Sequence, residues 1–316
     1  MCFIPARPSA RAQAGKYTWK RLNGHLNQFK TERGEIVITE LVFDMGMDIG
    51  EDTAYYLARG YRVVAVDADP NMIEKAKVRF QDALISKRLI LLNYAICDKD
   101  DQEVDFHISK TPGKSSLKYT ISNREGSHSR TIKMKTKRLS SLMKEYGVPF
   151  YCKIDIEGYD TIALETLSDL GVLPRFISVE TECLGKNETL SREASLATLR
   201  NLYKLGYSGF KLIDQRSLVE LKPGIVHFKK RTLIDRLKRV LRKYHVLSPE
   251  SFKKVIGDEF EYDFPHGSSG PFGDDLEGDW LDYQEAENNL LFHRNSYFSL
   301  PSSVNYGFWC DWHAKL

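Results

Sequence analysis

Two runs in this 316-residue chain place glycines, carboxylates and a lysine at spacings that ligand chemistry uses. The first, residues 42–70, reads VFDMGMDIGEDTAYYLARGYRVVAVDADP. A short apolar run ends at Asp44, and Gly46 and Gly50 allow a tight turn and a close approach of backbone to ligand. The next apolar run, 62–66, stops at Asp67. A carboxylate at the end of a second strand can accept both hydroxyls of a ribose. The second run, 151–160, reads YCKIDIEGYD, and strand alternation would put Lys153, Asp155 and Glu157 on one face and Cys152, Ile154 and Ile156 on the other. Three charges in a central strand cost several kcal/mol each unless they are paired or used. A structural lysine and carboxylate pair would satisfy that cost. So would a functional site, and the carboxyl ends of strands in open α/β sheets are where ligands bind.

The glycine spacing bears on the ligand. A dinucleotide fingerprint is G-x-G-x-x-G, with a pyrophosphate on the helix amino terminus; here the pattern is D-x-G-x-D-x-G. Asp44, Asp48, Glu51 and Asp52 crowd negative charge around the turn, which repels phosphate and suits a sulfonium and an ammonium group. The expected cofactor is S-adenosylmethionine; the other reading is an acidic turn that only caps a helix. Transfer to a hydroxyl needs help with its proton, so Asp155 or Glu157 is the candidate base, with Lys153 holding the carboxylate or lowering the acceptor's pKa. Asp44, Gly46, Gly50 and Asp67 are the candidate cofactor residues, and Asp98, in AICD, is expected near the adenine. Asp155, Glu157 and Glu180 or Glu182 could hold magnesium or be hydrogen-bonded without metal, and no metal is predicted. No zinc spacing, Walker loop or G-x-S-x-G elbow occurs.

Apolar runs alternating with helical patterns predict an α/β fold. The order is that of a class I methyltransferase, a Rossmann-like seven-stranded sheet whose last strand is antiparallel, with a C-terminal accessory segment. Strands are expected near 37–43, 62–66, 89–95, 150–156 and 176–182, and the last two at 207–213 and 218–227. Alternating segments at 103–108 and 131–136 read as a hairpin inserted before the fourth core strand. The Gly-, Ser- and Lys-rich 110–129 between them reads as a loop able to close over a substrate.

On these motifs the chain resembles the FkbM family of S-adenosylmethionine-dependent methyltransferases. The family's D-x-G-A-N-x-G turn, E-P-x-P second strand, S-S-L segment and I-K-I-D-x-E-G strand stand here as DMGMDIG, DADP, SSL at 115–117 and CKIDIEG. Order and spacing agree from Glu35 to about His227. Met47 and Asp48 replace the family's Ala and Asn, and Asp67 and Ala68 replace its Glu and Pro. The resemblance implies that Asp48 and Ala68 join the cofactor set and that the acceptor is a sugar or glycan hydroxyl. Another small-molecule hydroxyl, an amine, or a non-catalytic scaffold for a glycosyltransferase are the alternatives. The tail motifs SSGPFGDDLEGDW and WCDWHA resemble those of members encoded near glycosyltransferases.

Composition is that of an ordinary globular chain, 42% hydrophobic and 28% charged with net charge +3. It gives no reason to expect a nucleic-acid partner. Five scattered cysteines without framework spacing, and no membrane-length or signal-type apolar run, predict a cytoplasmic protein. Three regions are expected: a basic extension at 1–34, faintly like a transit peptide; the methyltransferase domain at 35–228; and 229–316. The last opens on KKRTLIDRLKRVLRKYH, a basic amphipathic helix over 229–245 that packs on the core or meets a membrane surface or glycosyltransferase. It closes on an aromatic cap expected to wall the acceptor pocket. A chain ending near Lys230 is then expected to keep cofactor binding.

Overall fold

The structure is a computed structural model that describes residues 18–22, 26–30, 36–110, 113–123, 126–181, 188–226, 250–256, 260–299 and 308–316, with 234, 237, 238 and 241 between them. The first half of the chain runs β1 (Thr18–Leu22), β2 (Leu26–Lys30), β3 (Ile36–Met45), α1 (Glu51–Ala58), β4 (Arg62–Val66), α2 (Pro70–Arg79), α3 (Gln81–Ile85), β5 (Leu89–Leu92), β6 (Ala95–Ile96), β7 (Glu103–Ser109), α4 (Tyr119–Ser122) and β8 (His128–Lys137). Then come α5 (Leu139–Tyr146), β9 (Tyr151–Ile154), α6 (Asp160–Thr166), β10 (Phe176–Glu180), α7 (Glu188–Leu205), β11 (Gly209–Asp214), β12 (Val219–Glu220), β13 (Ser251–Ile256), β14 (Phe260–Pro265), α8 (Tyr283–Phe298) and β15 (Cys310–Lys315).

The strands with the most continuous apolar runs occupy the middle of the sheet, where both faces are covered. β4, β3, β9 and β10 pair in parallel, with β5 beyond β4. Past β10 lies β15, antiparallel to both β10 and β11. Among the described residues the sheet has ten strands, β1, β2 and β12 lying at its margins. β1 and β2 form an antiparallel pair that continues onto the first half of β3, inside the region expected to be a plain basic extension, and β12 is a two-residue edge.

The antiparallel strand expected at 218–227 is β15. After Glu220 the chain reaches Pro223 and Gly224, with φ +74° at the glycine; proline cannot donate to a ladder, so the segment turns away. β15 fills the place instead, burying Cys310, Trp312 and Ala314 at 0% exposure. Its sequence, CDWHAK, has the period-2 alternation of a strand, disguised by polar residues on one face.

On one face, Phe43, Ile154, Val179, Leu212 and Trp312 pack under residues of α5, α6, α7 and α8. On the other, Val42, Tyr151 and Phe176 pack with Tyr55 and Tyr56 of α1 and with Phe264 and Phe272 of the C-terminal region. Tyr151 and Phe272 stack with ring centroids 3.8 Å apart. The β13–β14 hairpin therefore covers the same face as α1. The inserted hairpin is present as expected, β7 antiparallel to β8. The basic helix proposed over 229–245 lies outside the described residues, apart from Ile234, Leu237, Lys238 and Leu241.

Candidate active site

β3 delivers Asp44 to the carboxyl edge and the chain turns at once. Gly46 has φ +81°, and a Cβ there would sit 1.7 Å from the Asp155 carbonyl oxygen. Two loops thus cross at a point that only glycine can occupy. The amides of Gly46 and Met47 both donate to the Val66 carbonyl, at 3.0 and 3.1 Å. Gly50, φ +82°, opens α1, and a Cβ there would meet the Phe80 ring at 2.6 Å. Asp48 is a non-glycine residue at φ +50°. Its amide donates to Asp67 Oδ2 at 2.8 Å, and the Asp69 amide donates to Asp67 Oδ1 at 2.7 Å. The Asp67 carboxylate therefore joins the glycine turn to the end of β4. Burial pushes Asp67 up to about 7, against the pull of those two amides. Burial also raises Asp48.

Beneath this turn, Lys153 of β9 is buried among carboxylates. Its Nζ lies 3.3 Å from Asp44 Oδ1, 3.5 Å from Asp52 Oδ2 and 3.7 Å from Asp155 Oδ2, and it donates to the Gly46 carbonyl at 3.1 Å. Burial works against the ammonium charge, but Asp44, Asp155 and Asp52 outweigh it and hold Lys153 well above the usual lysine range. Thr53 donates to Asp44 Oδ2 at 2.6 Å. Asp52 accepts the Ser269 amide on both oxygens, at 3.0 and 3.1 Å, and burial pushes it up to about 6 despite Lys153. Ser269 lies 217 residues downstream of Asp52, and no local pattern signals such a contact.

The strand carrying Lys153 ends at Ile154. Asp155 and Glu157, expected inside it on one face, stand in the loop beyond, where φ +52° at Glu157 breaks the alternation. The Asp155 amide still donates to the Met45 carbonyl at 2.9 Å. Ligand oxygens of Asp155, Glu157 and Glu180 all lie within 4.8 Å of one another, close enough for one cation to reach all three. Burial first, and then Asp155 and Glu157, push Glu180 well above the usual carboxylate range. Glu182 lies outside the described residues.

These loops border a cavity of about 1120 Å³. Gly46, Asp48, Asp67, Ala68, Asp155, Glu157 and Glu180 all line it. The inserted hairpin contributes Phe106 and Ile108, and the C-terminal region contributes His266, Gly267, Phe308 and Trp309. The rings of His266 and Trp309 have centroids 5.7 Å apart. Asp44 and Gly50 lie just behind the lining, through Lys153 and Met47. Asp98 is exposed and apart from it, accepting from the Cys97 thiol at 3.2 Å, while Tyr94, Ala95 and Ile96 face the cavity from the same segment.

Residues 44–206, just over half of the chain, match the methyltransferase FkbM domain. The chain belongs to the FkbM methyltransferase family. No curated protein matches it in sequence. Among solved structures it is similar to a Haemonchus contortus phosphoethanolamine N-methyltransferase 2 in complex with phosphomonomethylethanolamine and S-adenosylhomocysteine: 13% identity, 88% of this chain and 49% of that one, TM-score 0.38. An S-adenosylmethionine-dependent methyltransferase from Archaeoglobus fulgidus is similar at 10% identity over 88% and 86% of the two chains, TM-score 0.36. One from Thiobacillus denitrificans, in complex with S-adenosylhomocysteine, is similar at 12% identity over 56% and 62%, TM-score 0.30.

This FkbM protein is an S-adenosylmethionine-dependent methyltransferase. Asp48, Glu51, Asp52 and Asp67 line the cavity around the glycine turn. Among the described residues no helix is long and apolar enough to cross a membrane.

Proposed function

We propose that this FkbM enzyme is an O-methyltransferase acting on a sugar or glycan hydroxyl. One observation carries the reading: Asp155, Glu157 and Glu180 converge on one part of the cavity, and His266 and Trp309 also border that cavity. Carboxylates accept from and deprotonate hydroxyls, and an aromatic ring offers a flat apolar surface on which a sugar face stacks.

In this reading Asp67 accepts the ribose hydroxyls of the cofactor, with Asp48 and Ala68 beside it. Gly46 and Gly50 shape the turn that receives the methionine portion, and Asp44 fixes Lys153 below it. The bound cofactor supplies an electrophilic methyl group. The chain's own residues align the acceptor oxygen with that methyl and keep water out. Glu157, or Asp155 beside it, takes the acceptor proton. Lys153 is assigned to holding Asp44, Asp52 and Asp155 in place, since its Nζ is already surrounded by them and by the Gly46 carbonyl. Near the adenine, the Tyr94 to Ile96 segment borders the cavity, with the exposed Asp98 just beyond it.

No metal enters this reading. Lys114 Nζ lies 3.4 Å from Glu157 Oε1, and Lys153, shared with Asp44 and Asp52, lies 3.7 Å from Asp155, so protein cations already face two of the three carboxylates. The test is transfer of a labelled methyl group from S-adenosylmethionine to separate panels of free sugars, nucleotide sugars, lipid-linked glycans and amines. Labelled sugars or glycans support the proposal, and label confined to amines overturns it.

A further inference from the structure

The S-S-L segment at 115–117 has no part in the chemistry above, and the structure gives it one. Glu157 sits at φ +52°, a region that side chains with a Cβ adopt only when their surroundings over-determine it. Those surroundings come largely from the insertion between β7 and β8. Ser116 is fully buried, and its hydroxyl donates to the Glu157 carbonyl at 2.7 Å while accepting the Lys118 amide at 2.9 Å. Ser116 is itself fixed, because its amide and carbonyl pair with His107 of β7 at 3.0 and 2.9 Å. Lys114 reaches the Glu157 carboxylate, and Ile121 closes over Gly158, where a Cβ would lie 2.5 Å from Ile121 Cδ1. From the core side, Asp160 accepts the amides of Ile156 and Gly158, both at 3.0 Å. Glu157 is thus held from two directions, and the insertion supplies its carbonyl and carboxylate contacts.

We infer that Ser116 is a positioning residue that fixes the left-handed backbone of Glu157, so that the inserted hairpin aims this carboxylate at the acceptor. The inference rests on the proposed role of Glu157 in the acceptor site. A core serine with a purely structural task would not need to bond the carbonyl of a positive-φ residue in that site. The lysine from the same segment would not need to meet its side chain. The insertion thereby becomes part of the active site, and its S-S-L run a determinant of where the base points.

The test is amide hydrogen exchange, read by mass spectrometry on the peptide covering 155–159 of the full chain saturated with S-adenosylhomocysteine. Ser116→Ala should speed exchange there by about tenfold, the equilibrium equivalent of one lost hydrogen bond, with β4 and β10 peptides unchanged. Ser116→Thr, which keeps the hydroxyl, should restore the wild-type rate. Unchanged exchange at 155–159 in Ser116→Ala, or equal acceleration throughout the sheet, overturns the inference. Failure of the base assignment reads differently: Glu157→Gln would then keep full methyl transfer while Ser116→Ala still loosened the loop.

Discussion

Trp312→Ala should remove a large share of the stability of this protein. The indole is 0% exposed, in the strand between β10 and β11, with Val179 and Leu212 as its register partners and the Phe210 ring 6.4 Å away. Among the described residues its Nε1 has no hydrogen-bond partner, so the loss is one of packing alone. Truncating a buried tryptophan costs about 3–5 kcal/mol, against a total of about 5–15 kcal/mol for a typical domain. Trp312→Phe, which keeps an aromatic ring and breaks no hydrogen bond, should cost under about 1.5 kcal/mol. Urea denaturation followed by far-ultraviolet circular dichroism measures both. A chain ending at residue 300 should show no cooperative transition and no binding of S-adenosylhomocysteine, because β10 and β11 lose the strand between them. If Trp312→Ala costs under about 1 kcal/mol, or the shortened chain binds, the C-terminal strand is not part of the sheet.

Affinity for S-adenosylhomocysteine should be pH-dependent through Asp67. With its carboxyl raised to about 7, Asp67 is mostly protonated at pH 6 and mostly ionised at pH 8, so if ionised Asp67 accepts the ribose hydroxyls, affinity falls about tenfold from pH 8 to pH 6. Asp67→Asn should flatten that profile in calorimetry, and a profile unchanged by the substitution would contradict the role. Gly46→Ala should abolish binding and destabilise the fold, because its Cβ would fall 1.7 Å from the Asp155 carbonyl oxygen; a variant with wild-type melting and affinity would show the loop crossing to be loose. Glu157→Gln should lower methyl transfer about 100-fold or more, the usual range for a general base, with S-adenosylhomocysteine affinity unchanged; near-wild-type turnover would return the role to Asp155. A chelator should leave turnover unaltered, and a loss restored by magnesium would assign the three converging carboxylates to a cation.

The parts of the fold set by short-range patterns were legible in the sequence. The strand spanning Arg62 to Val66, the glycine turn and the inserted hairpin follow from apolar alternation and from residues with special backbone freedom. Asp44, Gly46 and Asp67 stand where their positions at strand ends place them. What was hidden depends on contacts across long chain separations. The pairing of β15 with β10 and β11 joins positions about 95 to 140 residues apart, and its Asp311, His313 and Lys315 make a central strand look like a polar tail. His313 shows how: burial and the nearby Lys211 push it down to about 3, so it sits in the sheet as a neutral ring. The Ser269 amide on Asp52 and the Ser116 hydroxyl on Glu157 were likewise beyond any local motif. The strand expected to carry Asp155 and Glu157 stops two residues early, since the positive φ at Glu157 is set by its neighbours in space and not by its type.

If the glycine turn and the end of β4 form the cofactor pocket of this methyltransferase, Asp67 holds the ribose of the bound cofactor. Isothermal titration with S-adenosylhomocysteine tests this most directly, comparing wild type with Asp67→Ala at pH 8, where Asp67 is ionised. The wild-type protein should bind in the micromolar range and the variant should lose about 1–3 kcal/mol, the cost of leaving buried hydroxyls unpaired. Binding of NAD with no binding of S-adenosylhomocysteine, or equal affinity in both proteins, would contradict this.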